Sequence, residues 1–259
     1  MRITFTALLL AIAPLAGAQD WAKQAVEHSP RHREWVNLKS GNRTVSAFVV
    51  YPEVKDKAAA IVVIHEIFGM SDWVQMVADE FAAAGSIAIA PDLLSGVTGL
   101  ADQNAIGKAI RDLPPDQITG DLNAVADYVS KLPAANGKVS VVGFCWGGGQ
   151  SFRFATNRPS LAAAFVFYGP GPDDVSSIRA PVYGFYAGDD ARIGATIPKT
   201  QELMKAAGKA YDVVTYPGAG HGFMRAGDAP PSAADPHYDA NKKARDESWV
   251  RLKSILPKP

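Results

Sequence analysis

Residues 138–155 read KVSVVGFCWGGGQSFRFA, and this stretch decides the fold. Valines lead into Gly143, Cys145 and Gly147, a spacing that matches the nucleophile elbow with cysteine in place of serine. At such an elbow a strand turns sharply into a helix, the central residue has a strained backbone, and a Cβ two residues before or after it would collide with the neighbouring chain. The pattern predicts that Cys145 lies at the end of the sheet, above a helix N-terminus that favours negative charge.

A lone cysteine beside a glycine-rich turn has a simpler interpretation, because isolated cysteines are most often buried structural residues. The strand-to-helix context and the two flanking glycines favour the functional interpretation here. The chain has a single cysteine, which excludes an intramolecular disulfide and any cysteine-rich zinc site.

Strand-like and helix-like segments alternate on both sides of the elbow. Residues 34–39 and 44–51 read as an antiparallel hairpin, and residues 19–33 as an exposed lead-in without periodicity. Later apolar runs predict strands over 58–65, 86–90, 161–168, 181–187 and 211–216, and amphipathic patterns predict helices over 72–84, 116–132, 196–207 and 237–256. This alternation predicts an α/β fold, a doubly wound and mostly parallel sheet with helices on both faces.

The composition favours a globular protein that acts on a small molecule. The chain has 259 residues, 47% of them hydrophobic, which fits a single α/β domain over residues 19–259. Lys and Arg together number 26, as do Asp and Glu, so bulk charge favours neither nucleic acid nor an anionic membrane surface as a partner. We expect a monomer.

The first eighteen residues, MRITFTALLLAIAPLAGA, read as a secretory signal peptide. Arg2 precedes an apolar run over residues 7–13, and small residues at 16–18 precede the expected cleavage before Gln19. The run is too short for a useful membrane anchor. The pattern predicts an exported product, located in the periplasm or outside the cell.

Reactive side chains follow several of the predicted strands. In chain order they are Glu66, Cys145, Asp189 or Asp190, and His221. Nucleophile, acid and histidine in that order match the α/β-hydrolases. The chemistry needs His221 beside the sulfur as a general base, and a carboxylate that orients its far ring nitrogen. The spacing leaves Asp189 and Asp190 as competing candidates for that carboxylate.

Short motifs carry a more specific similarity, which extends from about residue 35 to residue 255. The chain resembles the dienelactone hydrolase (carboxymethylenebutenolidase) family of the α/β-hydrolase superfamily. The motifs are HEIFG at 65–69, PDL at 91–93, GFCWGG at 143–148, FYG at 167–169, GDD at 188–190 and GAGHGFMR at 218–225.

The resemblance implies an α/β-hydrolase fold with a catalytic triad of Cys145, Asp190 and His221. It also implies that Glu66 lies against the resting thiol and helps to take its proton when substrate binds. Burial would make a glutamate a better local base. The residues alone leave an alternative for Glu66, an acid near a helix N-terminus that is satisfied by backbone amides.

The resemblance further implies an oxyanion hole and a substrate subsite. The backbone N–H groups of Ile67 and Trp146 would hold the oxyanion, and such preorganised donors each contribute on the order of 3 kcal/mol. Arg225 and Tyr168 would contact the substrate, with the Arg225 guanidinium suited to a carboxylate. A second family arginine is expected after the Pro-Asp-Leu motif, where this chain has Gly96.

These residues predict a hydrolase of small carboxylic esters or lactones that works through an acyl-Cys145 intermediate. A non-catalytic protein that binds a small acid on the same scaffold is the alternative, because fold does not fix function. A peroxide-sensing thiol is disfavoured because no resolving cysteine exists. We expect no metal and no organic cofactor, since the sequence has no HExxH motif and no phosphate-binding loop with a lysine.

Overall fold

One eight-stranded sheet organises residues 19–231 and 235–257, which the computed structural model describes. The predicted signal peptide, residues 1–18, lies outside the described residues. The strands are β1 (Arg33–Ser40), β2 (Arg43–Val50), β3 (Ala58–Ile64), β4 (Ile87–Pro91), β5 (Ala135–Phe144), β6 (Ala164–Phe167), β7 (Val182–Ala187) and β8 (Tyr211–Tyr216).

Helices connect most of the strands. They are α1 (Asp20–Glu27), α2 (Asp72–Ala83), α3 (Gln103–Arg111), α4 (Pro115–Ser130), α5 (Trp146–Asn157), α6 (Ala191–Gly194), α7 (Ile197–Ala206), α8 (Phe223–Asp228) and α9 (Tyr238–Ile255). Side-chain caps fix two helix starts near the functional residues. Ser71 accepts the Val74 N–H at the start of α2, and Asp102 accepts the Ala105 N–H at the start of α3.

The sheet order is β1-β2-β4-β3-β5-β6-β7-β8. The hairpin β1–β2 is antiparallel and joins the edge of β4 in antiparallel register, whereas β3 to β8 are all parallel. The carboxyl ends of the six parallel strands therefore meet at one edge, where ligands bind to open α/β sheets.

Apolar layers cover both faces of this sheet. All seven residues of β3 are buried, with Val62 and Ile64 packed in one apolar cluster and Ile61 and Val63 in the other. Helices α4, α5 and α7 contribute to the first cluster, and α1, α2 and α9 to the second. The predicted mostly parallel sheet with helices on both faces is confirmed.

The interpretation of residues 19–33 as an exposed lead-in is wrong. Residues 20–27 form α1, in which Ala22 and Val26 are buried in the same apolar cluster as α2. Apolar residues do recur at helical spacing, but eight residues are too short a stretch for this pattern to predict a helix; they are Trp21, Ala22, Ala25 and Val26. The short helix forms because α2 covers its apolar side, which is the usual source of stability for helices of this length.

The elbow glycines are required by close backbone contacts. A Cβ added at Gly143 would lie 1.9 Å from the carbonyl oxygen of Gly147. A Cβ at Gly147 would lie 2.4 Å from the carbonyl oxygen of His65. Real Cβ atoms do not approach backbone this closely, so β5 can turn against the start of α5 only because Gly143 lacks a side chain. The elbow can touch the loop after β3 only because Gly147 lacks one.

Gly143→Ala is therefore expected to lower the free energy of unfolding by about 4 kcal/mol or more, because backbone must move to admit the methyl group. Urea unfolding measures the change. Gly120→Ala is the matched control, since a Cβ there meets only the Ser40 hydroxyl at 3.5 Å and Gly120 lies inside α4. We expect the control to be neutral or to stabilise the protein by up to about 1 kcal/mol. Equal stability of the two variants would contradict the steric argument.

Candidate active site

Cys145 lies at the turn between β5 and α5, with its side chain partly exposed. Its backbone has φ +57° and ψ −117°, a conformation that L-residues rarely adopt. The Cys145 N–H donates to the Phe167 carbonyl, and the Cys145 carbonyl accepts the Gly148 N–H, so the strained turn is held from both sides. The predicted elbow conformation is present, and the sulfur is at the strand-end edge of the sheet.

His221 follows β8 and contacts the sulfur directly. Its Nε2 lies 3.0 Å from Cys145 Sγ, and its Nδ1 lies 2.5 Å from Asp190 Oδ2. The loop turns into α8 at Gly222, where φ is +81°. The imidazole thus bridges thiol and carboxylate with one ring nitrogen each, which is the arrangement that the reaction requires.

The two neighbouring aspartates have different surroundings. Asp190 is buried, and its other oxygen accepts the Ile193 N–H at 3.2 Å. The Asp189 side chain is half exposed, and its carboxylate lies 3.6 Å from His237 Nδ1. Of the two candidates left by the sequence, the structure places Asp190 against His221.

The surroundings of Cys145 favour the protonated thiol at rest. Burial raises the pKa of the Cys145 thiol, and the negative charge of Glu66 raises it further. Hydrogen bonds from the backbone N–H groups of Trp146 and Ile67 lower this pKa, as does the charge of Arg192, but they do not outweigh the first two effects. A base must therefore remove the proton before the sulfur can attack.

Glu66 forms a buried ion pair with Arg225. The Glu66 residue is 2% exposed, and its Oε2 lies 2.7 Å from the Arg225 Nε. The Arg225 guanidinium also lies over the Phe68 ring, 4.9 Å from its centroid. Glu66 thus pairs with an arginine rather than with helix amides. The predicted parts of Glu66 in proton removal and of Arg225 in substrate binding stay predictions.

Tyr168 lies beside His221. Its backbone has φ +38°, its side chain is buried, and its ring meets that of His221 edge to face at 5.1 Å. Burial raises the pKa of the phenol well above its usual value. Its hydroxyl has no hydrogen-bond partner among the residues described, which leaves a neutral donor free beside Cys145.

A cavity of about 370 Å³ opens in front of the sulfur. Its size suits a small ligand. Two exposed arginines, Arg111 and Arg192, bring positive charge to it, and neither has an ion-pair partner within the described part of the chain. The lining residues are Ile67, Arg111, Cys145, Trp146, Gly149, Gln150, Tyr168, Pro170, Arg192 and Ile193.

The sequence profile of the dienelactone hydrolase family matches residues 45–258 of this chain. The chain belongs to that family. Curated relatives named "Putative carboxymethylenebutenolidase" include one from Methylorubrum extorquens, 30% identical over 236 residues that cover 83% of this chain and 79% of the relative. Another, from Yersinia pestis, is 32% identical over 209 residues and covers 74% of this chain and 75% of the relative.

Solved structures agree with this assignment. The crystal structure of a "Putative Dienelactone Hydrolase" from Klebsiella pneumoniae superimposes with a TM-score of 0.73 at 25% identity, over 86% of this chain and 97% of that one. The fold is therefore the α/β-hydrolase fold. The described residues include no group of three or more His, Cys, Asp or Glu side chains placed to hold a metal ion. They also include no helix long and apolar enough to cross a bilayer.

In this dienelactone hydrolase family member, the positively charged side chains of the cavity lie at positions that the sequence did not predict. The family resemblance predicts an arginine at the position of Gly96, and Gly96 lies in a turn with φ +79°. Arg111 instead ends α3, and Arg192 lies two residues after Asp190 in α6. An arginine in a strand-end loop was a usable signal for Arg192. No sequence signal marked Arg111, because a basic residue in the last turn of a helix is typical of a solvated helix end.

Proposed function

We propose that this dienelactone hydrolase family member is an exported hydrolase of small anionic carboxylic esters or lactones, acting through an acyl-Cys145 intermediate. The observation that carries the proposal is the alignment of three groups, with the His221 ring within hydrogen-bond distance of both the Cys145 sulfur and the Asp190 carboxylate. This arrangement supplies a nucleophile, a base and the group that orients the base.

Acylation begins when His221 Nε2 takes the thiol proton. The sulfur attacks the carbonyl carbon, the C=O electrons move onto oxygen, and the oxyanion lies between the N–H groups of Ile67 and Trp146. The oxyanion collapses to the acyl-cysteine, the C–O bond to the leaving group breaks, and His221 returns its proton to the departing oxygen. Asp190 keeps the imidazole oriented and stabilises its cationic form.

Deacylation repeats these steps with water. His221 takes a proton from water as the water oxygen attacks the acyl carbon, and the same two N–H groups hold the second oxyanion. The C–S bond then breaks and the sulfur recovers the proton from His221. For a lactone, the leaving oxygen stays attached to the acyl chain, so one hydroxy acid is released.

Charge and size support the proposed substrate class. The guanidinium groups of Arg111 and Arg192, which form no ion pair with the described residues, line the cavity in front of the sulfur. A guanidinium fork binds a carboxylate with two parallel hydrogen bonds. A cavity of about 370 Å³ is the right size for a small ester or lactone.

Export rests on the signal-peptide pattern of residues 1–18. N-terminal sequencing of the purified native protein should give Gln19 as its first residue, and retained Met1 would contradict export. We also propose a monomer, which light scattering tests directly.

A panel of substrates tests the proposed activity. An activated aryl ester, its analogue with a free carboxylate, and an unsaturated lactone should all be hydrolysed, the acidic compounds with the lower KM. Iodoacetamide should stop all three reactions, because Cys145 is the single cysteine. Binding of the acidic compounds without turnover would instead support the non-catalytic small-acid-binding alternative.

Arg111→Gln is expected to raise KM for the acidic ester about three- to tenfold, because one partly exposed ionic hydrogen bond is lost. KM for the neutral ester should stay within about twofold, since that compound has no charge to pair. Arg179→Gln is the matched control, because Arg179 is also exposed and unpaired in the described chain but does not line the cavity. Steady-state kinetics at low salt measures KM for both esters. An equal rise in KM for both esters would contradict a charge-specific role.

A further inference from the structure

His65 is the first residue of the loop that follows β3 and carries Glu66 and Ile67, and the proposed mechanism does not use it. Its side chain is fully buried. The Nδ1 atom lies 2.8 Å from the Glu66 carbonyl oxygen, whereas Nε2 has no partner in the part of the chain that is described. A buried ring nitrogen without a partner is uncommon and asks for an explanation.

The contact with Glu66 fixes which nitrogen carries hydrogen. A carbonyl oxygen only accepts hydrogen bonds, so Nδ1 must be the donor. Burial lowers the pKa of His65, which keeps the ring neutral and leaves Nε2 as an unprotonated acceptor. Nε2 is thus left as an acceptor that faces no donor among the described residues.

The acceptor in this contact belongs to the same peptide group as a predicted oxyanion donor. The Glu66 carbonyl and the Ile67 N–H are opposite ends of one planar, resonance-coupled amide. The same carbonyl also accepts the Gly69 N–H at 3.2 Å. Hydrogen bonds donated to the oxygen draw electron density from the nitrogen, so the Ile67 N–H becomes a stronger donor, and they fix its direction.

The His65 side chain also contacts the residue that supplies the second donor. Its ring stacks on the Trp146 indole, with centroids 5.6 Å apart and planes 13° from parallel. Both N–H groups, of Ile67 and Trp146, act on the Cys145 sulfur in the resting structure. His65 is therefore next to both halves of the predicted oxyanion hole without touching the reacting atoms.

We infer that His65 is a positioning residue, whose Nδ1–H polarises and orients the Glu66–Ile67 peptide so that the Ile67 N–H stabilises the reaction oxyanion. This inference rests on the proposed acyl-transfer function. It assigns to His65 no proton transfer and no contact with substrate.

Two substitutions separate donation from packing. His65→Phe keeps a ring against Trp146 and removes the donor, while His65→Asn keeps a donor near the Nδ1 position and removes the ring. We expect His65→Phe to lower kcat about tenfold, which is a smaller loss than removal of a whole oxyanion donor causes. KM should stay within about twofold of the natural value. His65→Asn should retain most of kcat. If Phe keeps wild-type kcat, or if Asn is as impaired as Phe, the inference is overturned.

Alkylation of the thiol tests the same inference without any substrate turnover. Since the Ile67 N–H also lowers the pKa of Cys145, weakening it should move the pH midpoint of iodoacetamide alkylation upward by about 0.5 unit in His65→Phe, and His65→Asn should restore it. An unchanged midpoint in His65→Phe counts against the inference even if no ester is found to be hydrolysed. Failure of the proposed function is thereby distinguished from failure of this assignment.

The unmodified protein provides the final test, which does not depend on a variant that folds. Ring ¹⁵N chemical shifts of labelled protein report which nitrogen of His65 carries hydrogen. We expect the Nδ1–H tautomer at neutral pH. A proton found on Nε2 alone would show that Nδ1 cannot donate, and it would overturn the inference.

Discussion

Replacing Cys145 by alanine is expected to lower kcat for an activated aryl ester by a factor of about 10⁴ or more, because no other group can form the acyl intermediate. The fold should persist, since the side chain is only partly buried and alanine keeps a Cβ at the same position. Ester hydrolysis followed by absorbance, with thermal unfolding on the same samples, gives both quantities. Full activity in Cys145→Ala would refute the proposed reaction.

Cys145→Ser provides the companion result. The elbow backbone and the His221–Asp190 pair stay in place, so the hydroxyl lies where the thiol was. A hydroxyl is the weaker nucleophile and depends more on the base, so we expect activity above that of the alanine variant and below that of the natural protein. Serine activity equal to that of alanine would mean that His221 does not act as a base for this position.

Asp190→Asn is expected to lower kcat by a factor of about 10³ to 10⁴, because an amide neither holds the Nδ1–H tautomer of His221 nor stabilises its cationic form. The Ile193 N–H can still donate to the amide oxygen, so the loss of stability should be small. The midpoints of the pH profile of kcat/KM should also shift in Asp190→Asn. A purely structural defect would lower kcat/KM without such a shift.

Asp189→Asn is the matched control for that variant. Asp189 is adjacent in sequence, has a half-exposed side chain and contacts His237 rather than His221. We expect its kcat to stay within about twofold of the natural value, as for most exposed positions away from a site. A large loss in Asp189→Asn together with full activity in Asp190→Asn would exchange the two assignments.

The sequence was sufficient for the backbone around the nucleophile. Two glycines at fixed spacing about Cys145 have a steric cause that is local, and the apolar runs before Glu66 and His221 mark strands whose ends must meet in a parallel sheet. Backbone contacts of this kind depend little on distant packing. The elbow and the mostly parallel sheet could therefore be predicted.

The side chains around the cavity could not be predicted equally well. Asp189 and Asp190 point in different directions from consecutive positions, and residue spacing left both open until the family resemblance implied Asp190. Arg225, whose contact with substrate stays a prediction, also pairs with the buried carboxylate of Glu66 in the structure. Such pairings depend on how α8 packs, which neither periodicity nor residue type reveals.

Helix α3 illustrates the same limit over a longer distance. It follows an irregular segment, and its apolar residues Ile106 and Ile110 mark only a short helical patch. Gly107 lies near Ile67 of the loop after β3, and this packing, which local sequence does not reveal, brings Arg111 to the cavity. The helix α1 was missed for a related reason, since α2 supplies the surface that makes it stable.

The separation of Arg111 and Arg192 from the elbow has an evolutionary consequence. The sulfur of Cys145 is held by backbone contacts at Gly143 and Gly147 that tolerate almost no change, whereas the two arginine side chains are exposed. A single codon change in a paralogue can therefore replace Arg111 or Arg192 with a neutral or acidic residue. Selection can thereby favour paralogues that act on substrates of different charge, while the nucleophile elbow stays the same.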